Sequence, residues 1–149
     1  AQSTSPVIER TGVRMRVIAG TAYGERSPVV VASPTLYVDV VLEQGAKLEV
    51  PCEHEERAVY VVSGALRCDD EVFNEGALVV LRSGHEVCLE AESGTRAMLL
   101  GGAPLDGPRF IEWNFVSSRQ ERIEEAKAAW RSRSFPTVPG DEDEFIPLP

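Results

Sequence analysis

Apolar and polar side chains alternate over much of the chain up to about residue 100. In residues 35–42, every second side chain from Leu36 to Leu42 is leucine or valine. Successive side chains of a β-strand point to opposite faces, so this period of two predicts a strand with one buried face. Residues 13–17 repeat the pattern, with arginines between the apolar positions, and predict another strand.

Glycine-containing turns separate a series of shorter apolar segments. Ser-Gly pairs occur at residues 63–64, 83–84 and 93–94, and such pairs commonly reverse the chain. Many short strands with regular turns favour an all-β fold, built as an antiparallel barrel or sandwich. The additional predicted strands cover residues 47–50, 58–62, 65–68, 72–73, 77–81, 86–90, 96–100 and 109–115.

One C-terminal α-helix is predicted over about residues 118–132. Ser118 followed by Glu121 has the spacing of a capping box, and Ile123, Ala126 and Trp130 fall on one helical face. The tail that follows, residues 136–149, has an acidic run and then apolar side chains. We expect the acidic run to be solvated and the end of the chain to dock onto the domain or a neighbour.

The first residues of the chain differ from the rest in composition and in hydrophobic pattern. Residues 1–11 are polar, lack a clear period and contain Pro6, so we interpret them as a linker or arm. The remaining residues, 12–149, are predicted to form one domain that includes the helix and the tail.

Charge and cysteine content exclude several classes of function. The formal net charge of −9 disfavours direct binding to nucleic acids or anionic membranes. The three cysteines are odd in number and widely spaced, so we expect a reducing compartment, the cytoplasm, without a disulfide framework. No apolar run approaches the length that a transmembrane helix needs.

Two glycine-bracketed blocks, residues 45–64 and 76–87, carry the candidate chemistry. They resemble the two motifs of cupins, whose fold is a jelly-roll-like β-barrel. In that superfamily the motifs are G-x5-H-x-H-x3,4-E-x6-G and G-x5-P-x-G-x2-H-x3-N, and three His and one Glu bind a catalytic metal. The glycines of this chain fit these motifs.

The resemblance also shows that the metal ligands are substituted. Pro51 and Glu53 stand where the first two histidines belong, Arg57 where the glutamate belongs, and Val87 where the third histidine belongs. Arg82 replaces the proline of the second motif. A guanidinium repels a divalent cation, so we expect no metal centre of the usual cupin kind in this domain.

Longer segments indicate which group of cupins this chain resembles. They are RVIAG (16–20), SPTLYVDVVLEQGA (33–46), VYVVSG (59–64), LLGGAPL (99–105), WNFVSSRQERIEEAKAAW (113–130) and the ending PGDEDEFIPLP. Together they resemble the C-terminal cupin of the pirin family, in particular that of bacterial pirin-like proteins. Pirins are two-domain bicupins. The resemblance therefore implies iron only in an N-terminal cupin, which has no counterpart here, and this chain is an excised domain or a short member.

Other residues near the two blocks leave alternatives open. His54 and His85, with Cys52, Glu53, Glu55 or Cys88, could form a shifted metal site, although we expect both histidines in solvated loops. Arg57, Arg82 and Cys52 are candidate ligand-binding residues at the barrel mouth. The arginines could instead form ion pairs with Glu53, Glu55 or Glu86. We expect Cys68 and Cys88 to be buried, inert thiols.

Three functions follow as hypotheses. The first is a non-catalytic, metal-free cupin module that packs against an N-terminal cupin, a second copy of the chain or another protein. The second, implied by the resemblance, is an iron-dependent quercetin 2,3-dioxygenase that acts with the missing cupin. The third, also implied, is a pirin-like co-regulator of transcription or metabolism. An enzyme acting alone is not expected.

Overall fold

The computed structural model describes residues 4–141 and 143–149. Contacts divide the chain into two compact units, the first ending at Pro104 and the second beginning at Leu105. The sequence predicted one domain over residues 12–149. Glu142 in the predicted acidic run and the first three residues of the predicted arm lie outside the described residues.

The first unit is made of eleven strands among its described residues. They are β1 (Val7–Arg10), β2 (Val13–Ala22), β3 (Glu25–Arg26), β4 (Thr35–Leu42), β5 (Lys47–Val50), β6 (Glu56–Ser63), β7 (Ala65–Cys68), β8 (Glu71–Asn74), β9 (Leu78–Leu81), β10 (Val87–Ala91) and β11 (Thr95–Gly102).

These strands form two antiparallel sheets that share one core. The larger sheet has the order β1-β2-β4-β11-β6-β9, with β3 attached to β2, and the smaller has the order β5-β10-β7-β8. The inner faces of both sheets contribute to a single apolar cluster, which includes Val38 and Leu99 from the larger sheet and Leu48 and Leu89 from the smaller. Burying a leucine or valine side chain stabilises a fold by about 1.5–3 kcal/mol. The all-β prediction is confirmed.

The strand β4 has the bounds that the alternation predicted. Leu36, Val38, Val40 and Leu42 are at most 4% exposed, and Tyr37 and Val41 lie on the outer face, 38% and 44% exposed. This agreement arises because a half-buried strand imposes the period of two on its sequence.

The linker or arm prediction is wrong for Val7–Arg10. These residues form β1 and pair antiparallel with β2, with Arg10 opposite Val13. Thr11 and Gly12 make the tight turn between them, and Gly12 takes a positive φ of +69° that glycine adopts without steric cost. The turn brings the segment back alongside β2, and backbone pairing then joins it to the sheet. Such pairing does not require a periodic apolar face in the sequence of the segment.

The second unit contains a hairpin and the predicted helix. The predicted strand 109–115 is instead two strands, β12 (Phe110–Glu112) and β13 (Phe115–Ser117), joined through a turn in which Trp113 has φ +51°. The helix α1 spans Gln120–Arg131, within two residues of the prediction at each end.

The predicted capping box is wrong. The helix N-cap is Arg119, which makes no side-chain capping hydrogen bond, and its backbone N–H donates instead to Ser117 Oγ at 3.2 Å. The start of α1 is therefore positioned by the end of the hairpin rather than by Ser118 and Glu121.

An aromatic cluster holds the tail in this unit. Trp130 of α1 contacts Trp113, with ring centroids 5.1 Å apart, and stacks on Phe145 at 5.4 Å. Its indole Nε1–H donates to the carbonyl oxygen of Ile146 at 2.8 Å. The prediction that the chain end docks back is confirmed for these residues.

Among the described residues, none of the helical segments is long and apolar enough to cross a membrane.

Candidate functional site

The side chain at the cupin glutamate position, Arg57, is buried in the core. It lies on strand β6 between Gly101 of β11 and Leu81 of the edge strand β9, and it is 2% exposed. A Cβ at Gly101 would come within 2.9 Å of Arg57 Cα, so the glycine permits the two strands to approach closely here.

The Arg57 guanidinium binds four backbone carbonyl oxygens. Nη1 donates to Val50 O at 3.2 Å and to Pro51 O at 2.8 Å. Nη2 donates to Arg82 O and to His85 O, each at 2.7 Å. The first two acceptors belong to the first motif block and the last two to the second, so a single cation links the two blocks.

This geometry corrects two predictions for Arg57. The side chain is neither exposed at a barrel mouth nor, among the described residues, paired with a carboxylate such as Glu53, Glu55 or Glu86. Its Nε is buried without a hydrogen-bond partner. The carbonyl oxygens offset the cost of burying the charge by charge-assisted hydrogen bonds.

The remaining ligand positions offer little to a metal. Pro51 and Glu53 line a cavity of only about 10 Å³, and the proline side chain has no donor atom. Val87 lies on β10, where it pairs with Val50. Only one of the four positions, Glu53, has a side chain that binds metals. Arg57 places a positive charge where the cupin motif has its glutamate. The donor set at these positions does not fit iron.

The alternative site built on two histidines is not assembled. His54 is 9% exposed rather than solvated as predicted, because its Nε2 reaches the Thr21 carbonyl oxygen at 2.9 Å. His85 is exposed in a loop, as predicted, with Nδ1 2.9 Å from Ser83 O. The described residues contain no group of three or more His, Cys, Asp or Glu side chains arranged to hold a metal ion.

The solvent exposure of the cysteines differs from the prediction, which had both Cys68 and Cys88 buried. Cys68 is partly buried, but Cys88 is exposed because it lies on the outward face of β10, opposite Glu49. Burial, followed by the charges of Asp69 and other neighbours, raises the pKa of the Cys68 thiol. Cys52 is exposed.

Tyr23, which lines the small cavity, gives the first unit a dependence on alkaline pH. Its hydroxyl donates to Glu49 O at 3.0 Å, and burial raises its pKa from 10.0 to about 12. The unfolded chain loses this proton above pH 10, whereas the folded chain retains it to about pH 12. Stability is therefore lost as pH rises through this interval, by about 2 kcal/mol at most for a partly buried group.

Urea unfolding of the wild type and of Tyr23→Phe at pH 8, 10 and 11.5 checks this expectation. The wild type is expected to lose stability between the two higher pH values, and the variant, which cannot ionise there, to lose less. Parallel pH curves for the two proteins would contradict it.

A larger cleft, of about 790 Å³, opens at the side of the sandwich. Arg82, the other arginine of the motif blocks, lies here with an exposed side chain. Val87 also contributes to the lining, which otherwise consists of Cys68, Asp69, Asp70, Glu71, Phe73, Val79, Val80, Leu81, His85 and Glu86. The structure thus places Arg57, Arg82 and Cys52 in three different environments rather than in one ligand site.

Comparison with known proteins identifies the family. A family model described as the pirin C-terminal cupin domain matches residues 37–136. The chain belongs to the pirin family. The match covers β6, α1 and both motif blocks, and the resemblance to pirins is confirmed.

Pirin relatives extend the match over nearly the whole chain. A pirin-like protein from Caulobacter vibrioides is 44% identical over 144 residues, which are 97% of this chain and 50% of that protein. Pirin from Rattus norvegicus is 34% identical over 134 residues, covering 85% of this chain and 46% of the relative. The chain spans about half the length of the curated relatives that it matches.

A solved structure supports the cupin fold of this pirin chain. The crystal structure of a quercetin 2,3-dioxygenase from Acinetobacter baumannii superposes with a TM-score of 0.85 at 28% sequence identity, covering 97% of this chain and 50% of that one.

Proposed function

We propose that this chain is a non-catalytic, metal-free cupin module that serves in domain packing, oligomerisation or protein interaction. The observation that carries the proposal is the buried Arg57 guanidinium, which stands at the position of a cupin metal ligand and binds four carbonyl oxygens. A divalent ion at this centre would meet a fixed positive charge at short range in a medium of low dielectric constant, where like charges repel strongly.

The volume of the site supports the same proposal. Ligand pockets commonly enclose about 300–1,000 Å³, whereas the cavity beside Pro51, Glu53 and His54 encloses about 10 Å³. That volume is close to the minimum for one water molecule. A flavonol or another small organic substrate has no room at this position.

Metal loading tests the proposal directly. The purified chain, incubated anaerobically with ferrous iron and desalted, is expected to retain far less than one equivalent of iron, because its donor set lacks the ligands. Nickel and copper are expected to give the same result. The measurement is elemental mass spectrometry, and a cupin with a complete His set serves as the positive control. Stoichiometric metal together with turnover of a flavonol would overturn the proposal.

A second candidate function is favoured by the similarity to the Acinetobacter baumannii enzyme, of which this chain covers half. In this alternative the chain is the metal-free half of an iron-dependent quercetin 2,3-dioxygenase. The chain alone would turn over no flavonol, and turnover would require an iron-bearing N-terminal cupin. If adding the N-terminal half of a pirin relative restores no activity while the two halves bind each other, the alternative fails and the packing role remains.

A further inference from the structure

Each of the two sheets of the first unit ends, beside the 790 Å³ cleft, in a strand that has a neighbour on one side only. In the topology of the described strands, β9 is the last strand of the larger sheet and β8 the last strand of the smaller. Residues of both, Phe73 from β8 and Val80 from β9 among them, line the cleft. A sheet edge presents unpaired N–H and C=O groups, which can pair with an added strand.

The hydrogen-bond pattern shows which groups of β9 are available. Val61 N–H donates to Ala77 O at 3.0 Å, so the pair formed by these two residues is hydrogen-bonded. Antiparallel pairs alternate between bonded and non-bonded positions. The next pair, Tyr60 with Leu78, and the pair Ala58 with Val80 are therefore non-bonded. The backbone N–H and C=O of Leu78 and Val80 consequently point away from β6, towards the open edge.

The side chains at the same two positions are apolar and exposed. Leu78 is 58% exposed and Val80 is 77% exposed. The opposite edge, β1, follows Pro6 and carries Glu9 and Arg10, and proline and charge are common means of blocking unwanted strand pairing. The sequence of β9, LVVL, contains neither. This edge is left open to a partner strand.

The chemistry of the cleft limits what that strand can be. Four carboxylates line it, and they belong to Asp69, Asp70, Glu71 and Glu86. None of them forms an ion pair with another described residue, whereas Asp39 and Glu92 elsewhere on the sandwich pair with Arg96 and Arg67. Arg82 is the one lysine or arginine in the lining. A ligand with positive charges would complement the four carboxylates.

We propose that this cleft binds an extended basic peptide segment of a partner protein, which adds as a strand to the β9 edge. Alternate side chains of the segment lie beside Leu78 and Val80, and lysine or arginine side chains between them reach the carboxylates of the cleft. This inference rests on the proposed interaction role and specifies the chemistry of the partner.

A second copy of the chain fits this edge less well. Pairing of two β9 strands about a twofold axis would bring two acidic clusters onto one interface, in a protein whose net charge is already −9. Repulsion between like charges opposes such an assembly.

Binding of a defined peptide tests the proposal. The probe is a fluorescein-labelled octapeptide in which valine and lysine alternate, and its control has the same residues with the four lysines placed together. Fluorescence anisotropy is expected to show about tenfold tighter binding of the alternating peptide, because only that order puts all charges on one face of a strand. Raising the salt concentration is expected to weaken this binding.

Two protein variants distinguish the contribution of the β9 backbone edge to peptide binding from the contribution of the cleft carboxylates. Val80→Pro removes the outward N–H without removing a bond to β6, and it is expected to weaken alternating-peptide binding about tenfold. The triple variant Asp69→Asn, Asp70→Asn, Glu71→Gln is expected to weaken binding by about the same factor. Its matched control neutralises three exposed carboxylates distant in sequence from the cleft lining, Glu25, Glu43 and Glu55, as glutamines, and is expected to retain the wild-type affinity.

Several outcomes would overturn the proposal. Equal binding of the two peptides, unchanged binding by folded Val80→Pro, or equal losses in the two charge variants would each do so. If Val80→Pro fails to fold, protection of the Leu78 and Val80 amides from hydrogen exchange on peptide addition decides the point. A dimer paired through β9 in sedimentation and exchange experiments would also overturn it. None of these results depends on metal content, so failure here is distinguishable from failure of the proposed function.

Discussion

Replacement of Arg57 by methionine is expected to lower the free energy of unfolding by about 4 kcal/mol, since four buried or partly buried carbonyl oxygens lose their charged donor. Methionine fills much of the same volume, so the loss reflects hydrogen bonding more than a cavity. Urea unfolding followed by circular dichroism measures it. Arg57→Lys is expected to be intermediate, because an ammonium group cannot span acceptors on both sides as the planar guanidinium does.

The control for this experiment is the second arginine of the motif blocks. Arg82→Met removes an exposed side chain and leaves its backbone carbonyl available to Arg57. The expected change is within about 0.5 kcal/mol, as for most surface substitutions. If Arg57→Met were as mild as Arg82→Met, the four-carbonyl link would not be a main contributor to stability.

Trp130→Ala is expected to destabilise the second unit by about 3 kcal/mol, near the lower end for loss of a large aromatic side chain. Trp130 contacts Trp113, Phe115, Phe135 and Phe145. Its indole also holds the tail through Ile146 O. Removal of the ring therefore releases the chain end, and limited proteolysis is expected to cleave the tail of the variant much faster than that of the wild type.

Two controls distinguish the role of Trp130 from a general effect on the unit. Trp130→Phe keeps an aromatic ring but loses the N–H. Its free energy of unfolding is expected to fall by about 1 kcal/mol, as for the loss of one hydrogen bond, because phenylalanine retains much of the packing. Val116→Ala changes a side chain that is 62% exposed and is expected to leave the cleavage rate unchanged. Equal cleavage of Trp130→Ala and the wild type would show that the tail is held by other contacts.

The sequence predicted those parts of the fold in which local rules and tertiary structure agree. The strand β4 obeys the period of two, and α1 obeys the helical period. The hairpin of β12 and β13 was missed because its turn places Trp113, rather than glycine, at positive φ. The pairing of β1 was missed as well, although Thr11 and Gly12 between two short β-like segments could have indicated it.

The candidate site was less predictable because its contacts join distant segments. The motif spacing identified Arg57 as the substituted ligand, but its acceptors lie 6 to 28 residues away along the chain. His54 lies in a loop, as expected, but its side chain is buried because it contacts the carbonyl oxygen of Thr21, 33 residues away along the chain. The β9 edge was not singled out, although LVVL without a charged residue was visible in the sequence.

The Arg57 link also determines how this domain responds to its surroundings. In a metal-bearing cupin, the ion that joins the two motif blocks can dissociate, exchange with a cellular pool or change its oxidation state. A guanidinium is covalently part of the chain and does none of these. The join between the blocks in this domain is therefore expected to persist when iron is withdrawn or chelated.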